Sequence, residues 1–341
     1  MSRGDFGFLP NMSVYSNAKK FWYVQIARSE CLWYDLVINP PEFIGEKNFI
    51  SAYLAELKKR MAQIMERRFV YFFCSRPKVC FNTGFRPKFG MLSKNLMVEL
   101  LIGRDKKRKK ISVDIRRGGL PENSKPDVWI NEKFIQFDFR NGLVFTYAIH
   151  DFIRIFHVNL GLPTTVHYVG KTRNPETRPI DRRHTGIADT IYNVSNEEND
   201  FFLIIIVFKV TSIARSSSYG LNFLTGNGLT DEVCVDLEGN VLEGGFLDYF
   251  SCPIQNKSGA NERPSLLKTL EMMKNDLGID HVIFDFDPEP PDEYLVLQSK
   301  NTESSVRHVF RCFVDNNMCH IESLSTDFSV QSYVNDWIEG E

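Results

Sequence analysis

The sequence predicts an α+β fold. Three observations predict it: a helical hydrophobic period over 49–68, strand-like alternation punctuated by turn chemistry between 96 and 168, and an apolar run at 201–208 of buried-strand length. With 341 residues, 43% hydrophobic and 25% charged, the chain has the composition of a globular protein with room for more than one core. We expect three units: 1–125, α+β with a basic hairpin; 126–262, a small antiparallel three-stranded sheet flanked by helices; and 263–341, an acidic α+β unit.

Each element has its own reason. Residues 49–68 put Ile50, Leu54, Leu57, Met61, Ile64 and Met65 on one helical face, and an apolar strand follows at 69–74. Strands at 96–102 and 111–115 flank Arg104, Asp105, Lys106, Lys107, Arg108, Lys109 and Lys110, which places six positive charges on a hairpin tip. The stretch 116–125, with its Gly and Pro, marks a boundary. Short strands at 128–130 and 134–139 precede the turn signal Asn141-Gly142, and 143–151 suits strand or helix. Phe152, Arg154 and Phe156 alternate with Ile153, Ile155 and His157, a strand period; 159–163 is turn chemistry and 164–168 the return strand. Residues 178–192 read as a helix or broken helix, 193–200 as a polar loop, 201–210 as a buried strand, and 215–227 as a second polar loop. A helix carrying Glu243 then ends near 250. Beyond it we expect a helix at 265–277, a strand at 281–286, an acidic proline-rich loop at 285–293, and strands at 294–298 and 306–314.

The net charge of −2 hides an asymmetry. Residues 1–200 hold 32 Lys and Arg against 21 Asp and Glu, whereas 201–341 hold 9 against 22. A basic half attracts a phosphate backbone and an acidic half repels it. No apolar stretch approaches a bilayer span, and residues 1–5 carry no leader pattern, so we expect a cytoplasmic protein without a membrane partner. Seven cysteines with no C-x-x-C pair argue for reduced thiols rather than a disulfide framework or a cysteine zinc site. Cys312, Cys319 and His320 fall short of the four ligands of a usual zinc site. Pro126-Asp127 with Glu132-Lys133 lacks the E-x-K spacing that a paired-carboxylate and lysine metal site needs, and Gly226-Asn227-Gly228 is too short for a phosphate cradle.

One constellation carries chemistry. Phosphodiester cleavage needs an activated water, a cation on the nonbridging oxygens and stabilisation of the leaving oxygen. Val166-His167-Tyr168-Val169-Gly170-Lys171-Thr172, then Asn174 and Arg178, resembles the second half of the GIY-YIG nuclease signature. His184 after the arginine, the strand at 201–210, the segment 242–250 with Glu243, and a trailing Asn256 extend the resemblance over about 152–257. It implies a GIY-YIG-like core for the middle unit and a metal-dependent DNA endonuclease of restriction or defence type. Tyr168 would position or deprotonate the attacking water, Arg178 would hold the scissile phosphate, and Glu243 would bind one Mg²⁺ or Mn²⁺. Lys171 and His184 would serve as further phosphate or proton-transfer groups. Double-stranded DNA would be gripped by Arg104, Lys106, Lys107, Arg108, Lys109, Lys110, Arg182, Arg183 and Asn256.

The chain departs from the signature at one point. The first tripeptide is expected eleven residues before Tyr168, where His157 stands, so the first tyrosine is missing. Histidine, with its pKa near 6.5, is a competent replacement base; Tyr147 is the alternative. The missing tyrosine also leaves open a catalytically inactive nucleic-acid-binding or protein-interaction protein on the same scaffold. Cutting both strands with one site per chain suggests a homodimer.

Overall fold

The computed structural model describes residues 2–39, 49–66, 68–90, 95–121, 125–140, 142–180, 185–252 and 262–339. Along the chain, a short helix α1 (Ser13–Ser16) leads into a long strand β1 (Lys19–Trp33), followed by α2 (Tyr34–Ile38), α3 (Phe49–Gln63) and β2 (Phe69–Pro77). Then come β3 (Val79–Phe81), β4 (Lys88–Phe89), β5 (Asn95–Ile102), β6 (Lys107–Asp114), β7 (Asp127–Ile130), β8 (Phe134–Asp138), β9 (Val144–Ala148) and α4 (Ile149–Ile155). The chain continues through β10 (Thr164–Thr172), α5 (Thr185–Asn193), β11 (Asn199–Ser216), β12 (Leu221–Gly226), α6 (Asn227–Thr230) and α7 (Val235–Phe250). It closes with α8 (Glu262–Leu277), β13 (Ile279–Phe286), β14 (Leu297–Gln298), β15 (His308–Asp315), β16 (Met318–Ser323) and α9 (Val330–Glu339). The α+β class is therefore observed. Among the described residues, no helix is long and apolar enough to cross a membrane.

In place of three consecutive units, the chain groups into two. The first gathers Met1–Cys74, Thr164–Thr190 and Phe202–Glu341; the second holds Ser75–Pro163 and Ile191–Phe201. The strands of one sheet are thus contributed by segments far apart in sequence, and no linear cut could have separated them.

The first unit is organised by a nine-stranded sheet, larger than the three-stranded one expected, in the order β14-β10-β2-β11-β1-β13-β15-β16 with β12 added beside β11. Its middle strands are apolar on both faces, as strands covered on both sides must be. Phe69, Val70, Tyr71, Phe72, Phe73 and Cys74 of β2 are all buried, as are Phe202 to Phe208 of β11. On one face α7 inserts Phe246 among Phe72, Phe208, Phe284 and Phe310, with ring centroids 4.9–5.5 Å apart. Gly245 makes that approach possible, because a Cβ there would lie 2.6 Å from the Phe284 ring. On the opposite face Tyr333, Val334 and Trp337 of α9 pack against Phe21, Tyr23, Ile283 and Val309. Neither β1 nor α9 is among the elements expected from the sequence.

The second unit holds the smaller sheets, β3-β5-β4 with β6 beside β5, and β7-β8-β9. The segment 152–157, expected as a strand, is the helix α4 and its closing turn. Ile149, Phe152, Ile153 and Phe156 are its buried face, a spacing of three, four and seven that is helical, and it outweighs the two-residue alternation also present. The stretch before it, which suited either element, is strand to Ala148 and helix from Ile149. The buried His150 Nε2 lies 3.1 Å from Asp200 Oδ2, which also accepts the Val79 N–H at 2.8 Å. The basic stretch is corrected too: residues 103–106 form the turn, and Lys107 to Lys110 belong to strand β6. The loop expected at 215–227 is largely the β11–β12 hairpin.

One buried charge cluster in the first unit has a thermodynamic consequence. Glu238 is buried and paired with Arg3 Nη2 at 2.7 Å, and Asn227 Nδ2 donates to it at 2.5 Å. Burial, together with the nearby Glu238 charge, pushes the Glu66 carboxyl from 4.5 up to about 8. A raised carboxyl pKa means that the folded state holds a proton the unfolded state has released. Stability from this group is therefore full below about pH 4.5 and declines as pH rises towards about 8. Glu66→Gln is expected to flatten that decline in urea unfolding measured at pH 5, 6.5 and 8, and to stabilise the protein most at pH 8.

Candidate active site

The site is built where β2 and β10 lie side by side in the large sheet. Tyr71 of β2 and Tyr168 of β10 stack, with ring centroids 6.0 Å apart and planes inclined by 26°. Two glycines make room for the pair. A Cβ on Gly170 would lie 2.5 Å from Tyr71 Cζ and 2.9 Å from Tyr168 Cε1, and a Cβ on Gly186 of α5 would strike the Tyr168 ring from the other side. Tyr71 is completely buried. Its phenol is held well above the ordinary tyrosine value, chiefly by burial and then by the adjoining Tyr168, to which it is hydrogen-bonded; the Arg178 charge acts in the opposite direction and that of Glu243 in the same one. Tyr168, Arg178 and Glu243 therefore all lie within electrostatic reach of a single phenol.

Helix α7 supplies the acidic side of the site. Asp236, Asn240 and Glu243 follow at steps of four and three and so share one helical stripe. Glu243 Oε1 accepts the Lys171 backbone N–H at 3.0 Å, and its Oε2 lies 2.8 Å from Lys171 Nζ, which also donates to Asn240 Oδ1. Asp236 pairs with both Arg68 and Arg173. The loop that follows β10 is tied down from α3: Lys58 Nζ donates to Asn174 Oδ1 at 2.6 Å and to Glu176 Oε1 at 2.8 Å. Arg178 opens a 3₁₀ turn just beyond that loop, with its side chain exposed.

The remaining expected residues are placed as follows. His157 is not on a strand. It lies in the turn closing α4 in the second unit, exposed, at a left-handed φ of +52°, and it lines a groove with Arg116, Arg117 and Asn159. The strands flanking β10 are β2 and β14, and the tyrosine that stacks on Tyr168 is Tyr71 of β2. Tyr147, the other candidate, is also in the second unit, where its hydroxyl donates to Gly118 O at 3.3 Å. His167 occupies the other face of β10, and burial lowers its imidazole to about 4. Arg104 pairs with Glu198 at 3.2 Å, Lys106 lies in the turn with φ +49°, and Lys109 Nζ caps the carbonyls of Asn159 and Leu160 at 3.4 and 3.2 Å. Lys107, Arg108 and Lys110 are exposed on β6. Arg182, Arg183, His184 and Asn256 lie outside the described residues.

Tyr71 and Asn240 join the site without having been expected from the sequence. A signal for Tyr71 is present there, since Phe69-Val70-Tyr71 is an aromatic tripeptide on a strand directly after a helix; the eleven-residue spacing of the signature points to His157 instead. Among the described residues no three His, Cys, Asp or Glu side chains cluster to hold a metal. The donor set at Glu243 nevertheless suits a hard cation, because a carboxylate and an amide oxygen already converge on one positive group. Compared with protein-family models, curated proteins and solved structures, the chain matches none.

The close fit of the tyrosine stack can be tested directly. Gly170→Ala is expected to cost about 1–3 kcal/mol, the usual range for overpacking. It should lower the thermal midpoint and change the near-ultraviolet tyrosine dichroism, whereas Gly220→Ala, which meets nothing within 4 Å but sits at φ +59° in a hairpin turn, should leave that dichroism unchanged.

Proposed function

We propose that the protein is a metal-dependent endonuclease that hydrolyses phosphodiester bonds in double-stranded DNA, built on a GIY-YIG-like core formed by β2, β10, α5, β11 and α7. The observation that carries this reading is the stack of Tyr71 on Tyr168, within electrostatic reach of Arg178 and Glu243. Phe69-Val70-Tyr71 on the strand next to Tyr168-Val169-Gly170 supplies the first tripeptide that 155–157 lacks. On this reading the second unit is an insertion between the two signature strands.

The roles follow from the environments. Tyr71, buried and with its phenol held high, keeps its proton at neutral pH and acts as a positioning residue for Tyr168 through their hydrogen bond. Tyr168, half-exposed at the sheet surface, orients the attacking water through its hydroxyl. Arg178, exposed on a tethered turn, presents its fork to the nonbridging oxygens of the phosphate. Glu243 and Asn240 would hold a divalent ion, whose chemistry is to stabilise charge on the leaving oxygen. The exposed cations Lys107, Arg108, Lys110, Arg116 and Arg117 of the second unit suit a row of phosphates.

Supercoiled plasmid with Mg²⁺ or Mn²⁺ tests the reading. Nicking or linearisation is expected, with a loss of roughly 10²-fold or more for Tyr168→Phe, Arg178→Ala and Glu243→Gln. Tyr71→Phe should reduce the rate without weakening DNA binding. Binding without cutting under either metal would favour the silent nucleic-acid-binding reading. In a binding titration across salt concentrations, Arg108→Ala with Lys110→Ala should flatten the salt slope by about 0.9 for each phosphate left without its cation; an unchanged slope would remove β6 from the DNA-binding surface.

A further inference from the structure

The cation position on α7 is already filled by a side chain. Lys171 Nζ lies 2.8 Å from Glu243 Oε2 and donates to Asn240 Oδ1 as well, so two oxygens on successive turns of one helix face converge on a single ammonium. The other carboxylate oxygen, Oε1, is held separately at 3.0 Å by the Lys171 backbone N–H, an anchor that does not depend on where the lysine side chain goes. The lysine and glutamate side chains are 24% and 17% exposed, so a hydrated ion can reach the oxygens without unfolding anything.

We propose that Asn240 and Glu243 form a two-oxygen cradle for one divalent cation, and that the Lys171 ammonium is an internal counter-cation which the metal displaces on binding. The use of that metal rests on the nuclease reading above; the exchange itself does not. A hard divalent ion accepts carboxylate and amide oxygens and keeps its remaining waters, so it needs no third protein ligand. Until it arrives, the ammonium spares a half-buried carboxylate from standing unpaired. Once displaced, the flexible lysine chain carries its charge out of the cradle, where it can meet phosphate.

Mn²⁺ titration of the nucleic-acid-free protein, read by the electron paramagnetic resonance signal of unbound Mn²⁺, tests the exchange at one fixed pH. Lys171→Met and Lys171→Ala are expected to bind Mn²⁺ about tenfold more tightly than wild type, the effect of removing a charge in contact with the ligand. Lys58→Met, which removes the same charge from the Glu176 pair, should change the affinity less than twofold. Asn240→Leu should weaken binding, and Glu243→Gln should abolish it. Circular dichroism melts establish that each variant is folded. Equal affinity in wild type and both Lys171 variants, an equal gain in Lys58→Met, or no binding by any of them would overturn the exchange; Asn240→Leu binding like wild type would overturn the two-oxygen cradle. Plasmid cleavage measured in parallel separates the two ideas. A wild type that cuts while the Lys171 variants bind metal no better leaves the nuclease reading standing and removes the exchange. Tighter binding in those variants with no cutting by wild type does the reverse.

Discussion

The interior position of β2 is the constraint on which the rest of the first unit depends. Eight successive residues of this strand, Phe69 to Arg76, are buried between β10 and β11, and of the first six, Phe69 to Cys74, five have side chains with nothing to satisfy beyond packing. Tyr71 is the exception. A phenol taken out of water without a partner costs on the order of 1–3 kcal/mol, so its hydroxyl has to find one, and it finds Tyr168 on the neighbouring strand. Gly170 and Gly186 are small because two rings already occupy that space. The same burial keeps the Tyr71 proton in place, which makes the pair asymmetric: one tyrosine is fixed and dry, the other is open to what lies outside.

Helix α7 makes two demands of opposite kind. Its apolar side drives Phe246 and Phe250 into the aromatic layer over the sheet, with Gly244 and Gly245 allowing Leu266 and Phe284 to come close. Its polar stripe carries Asp236, Asn240 and Glu243 towards the cations of β10 and its loop. Because the apolar side is locked, the stripe has little freedom to drift, and a carboxylate on it is presented at a defined place. Glu238, off that stripe, lies instead in the dry Arg3 and Asn227 cluster. Two glutamates of one helix thus hold carboxylates in contrasting surroundings: Glu238 is committed to structure, and Glu243 keeps partners that can be exchanged.

The second unit shows how far local pattern can mislead. The alternation of Phe152, Arg154 and Phe156 is a true two-residue period, yet Ile149, Phe152, Ile153 and Phe156 also satisfy a helical one, and the packing of Phe152 and Phe156 on Phe81 and Phe137 selects the helix. The basic run does lie on a hairpin, but further along it than the charge pattern suggests: the strand takes Lys107 to Lys110, because Ile111 and Val113 need the register that pairs them with Val98 and Leu96.

What the sequence by itself determined is local. The α+β class, helix α3, the β5–β6 hairpin, the strand bearing Tyr168, the buried strand β11 and the helix bearing Glu243 were all legible, since hydrophobic period and turn chemistry act over a few residues. Lys171, Arg178 and Glu243 were singled out by the order of residues that resembles the signature, not by their separate neighbourhoods. Tertiary structure alone decided which strand lies beside Tyr168. Tyr71 and Tyr168 are separated by almost a hundred residues, most of them folded into a separate unit, and strand pairing depends on which apolar faces can be buried together rather than on distance along the chain. The partners of Lys171 were hidden for the same reason: Asn240 and Glu243 reach it only because Phe246 seats α7 against the sheet.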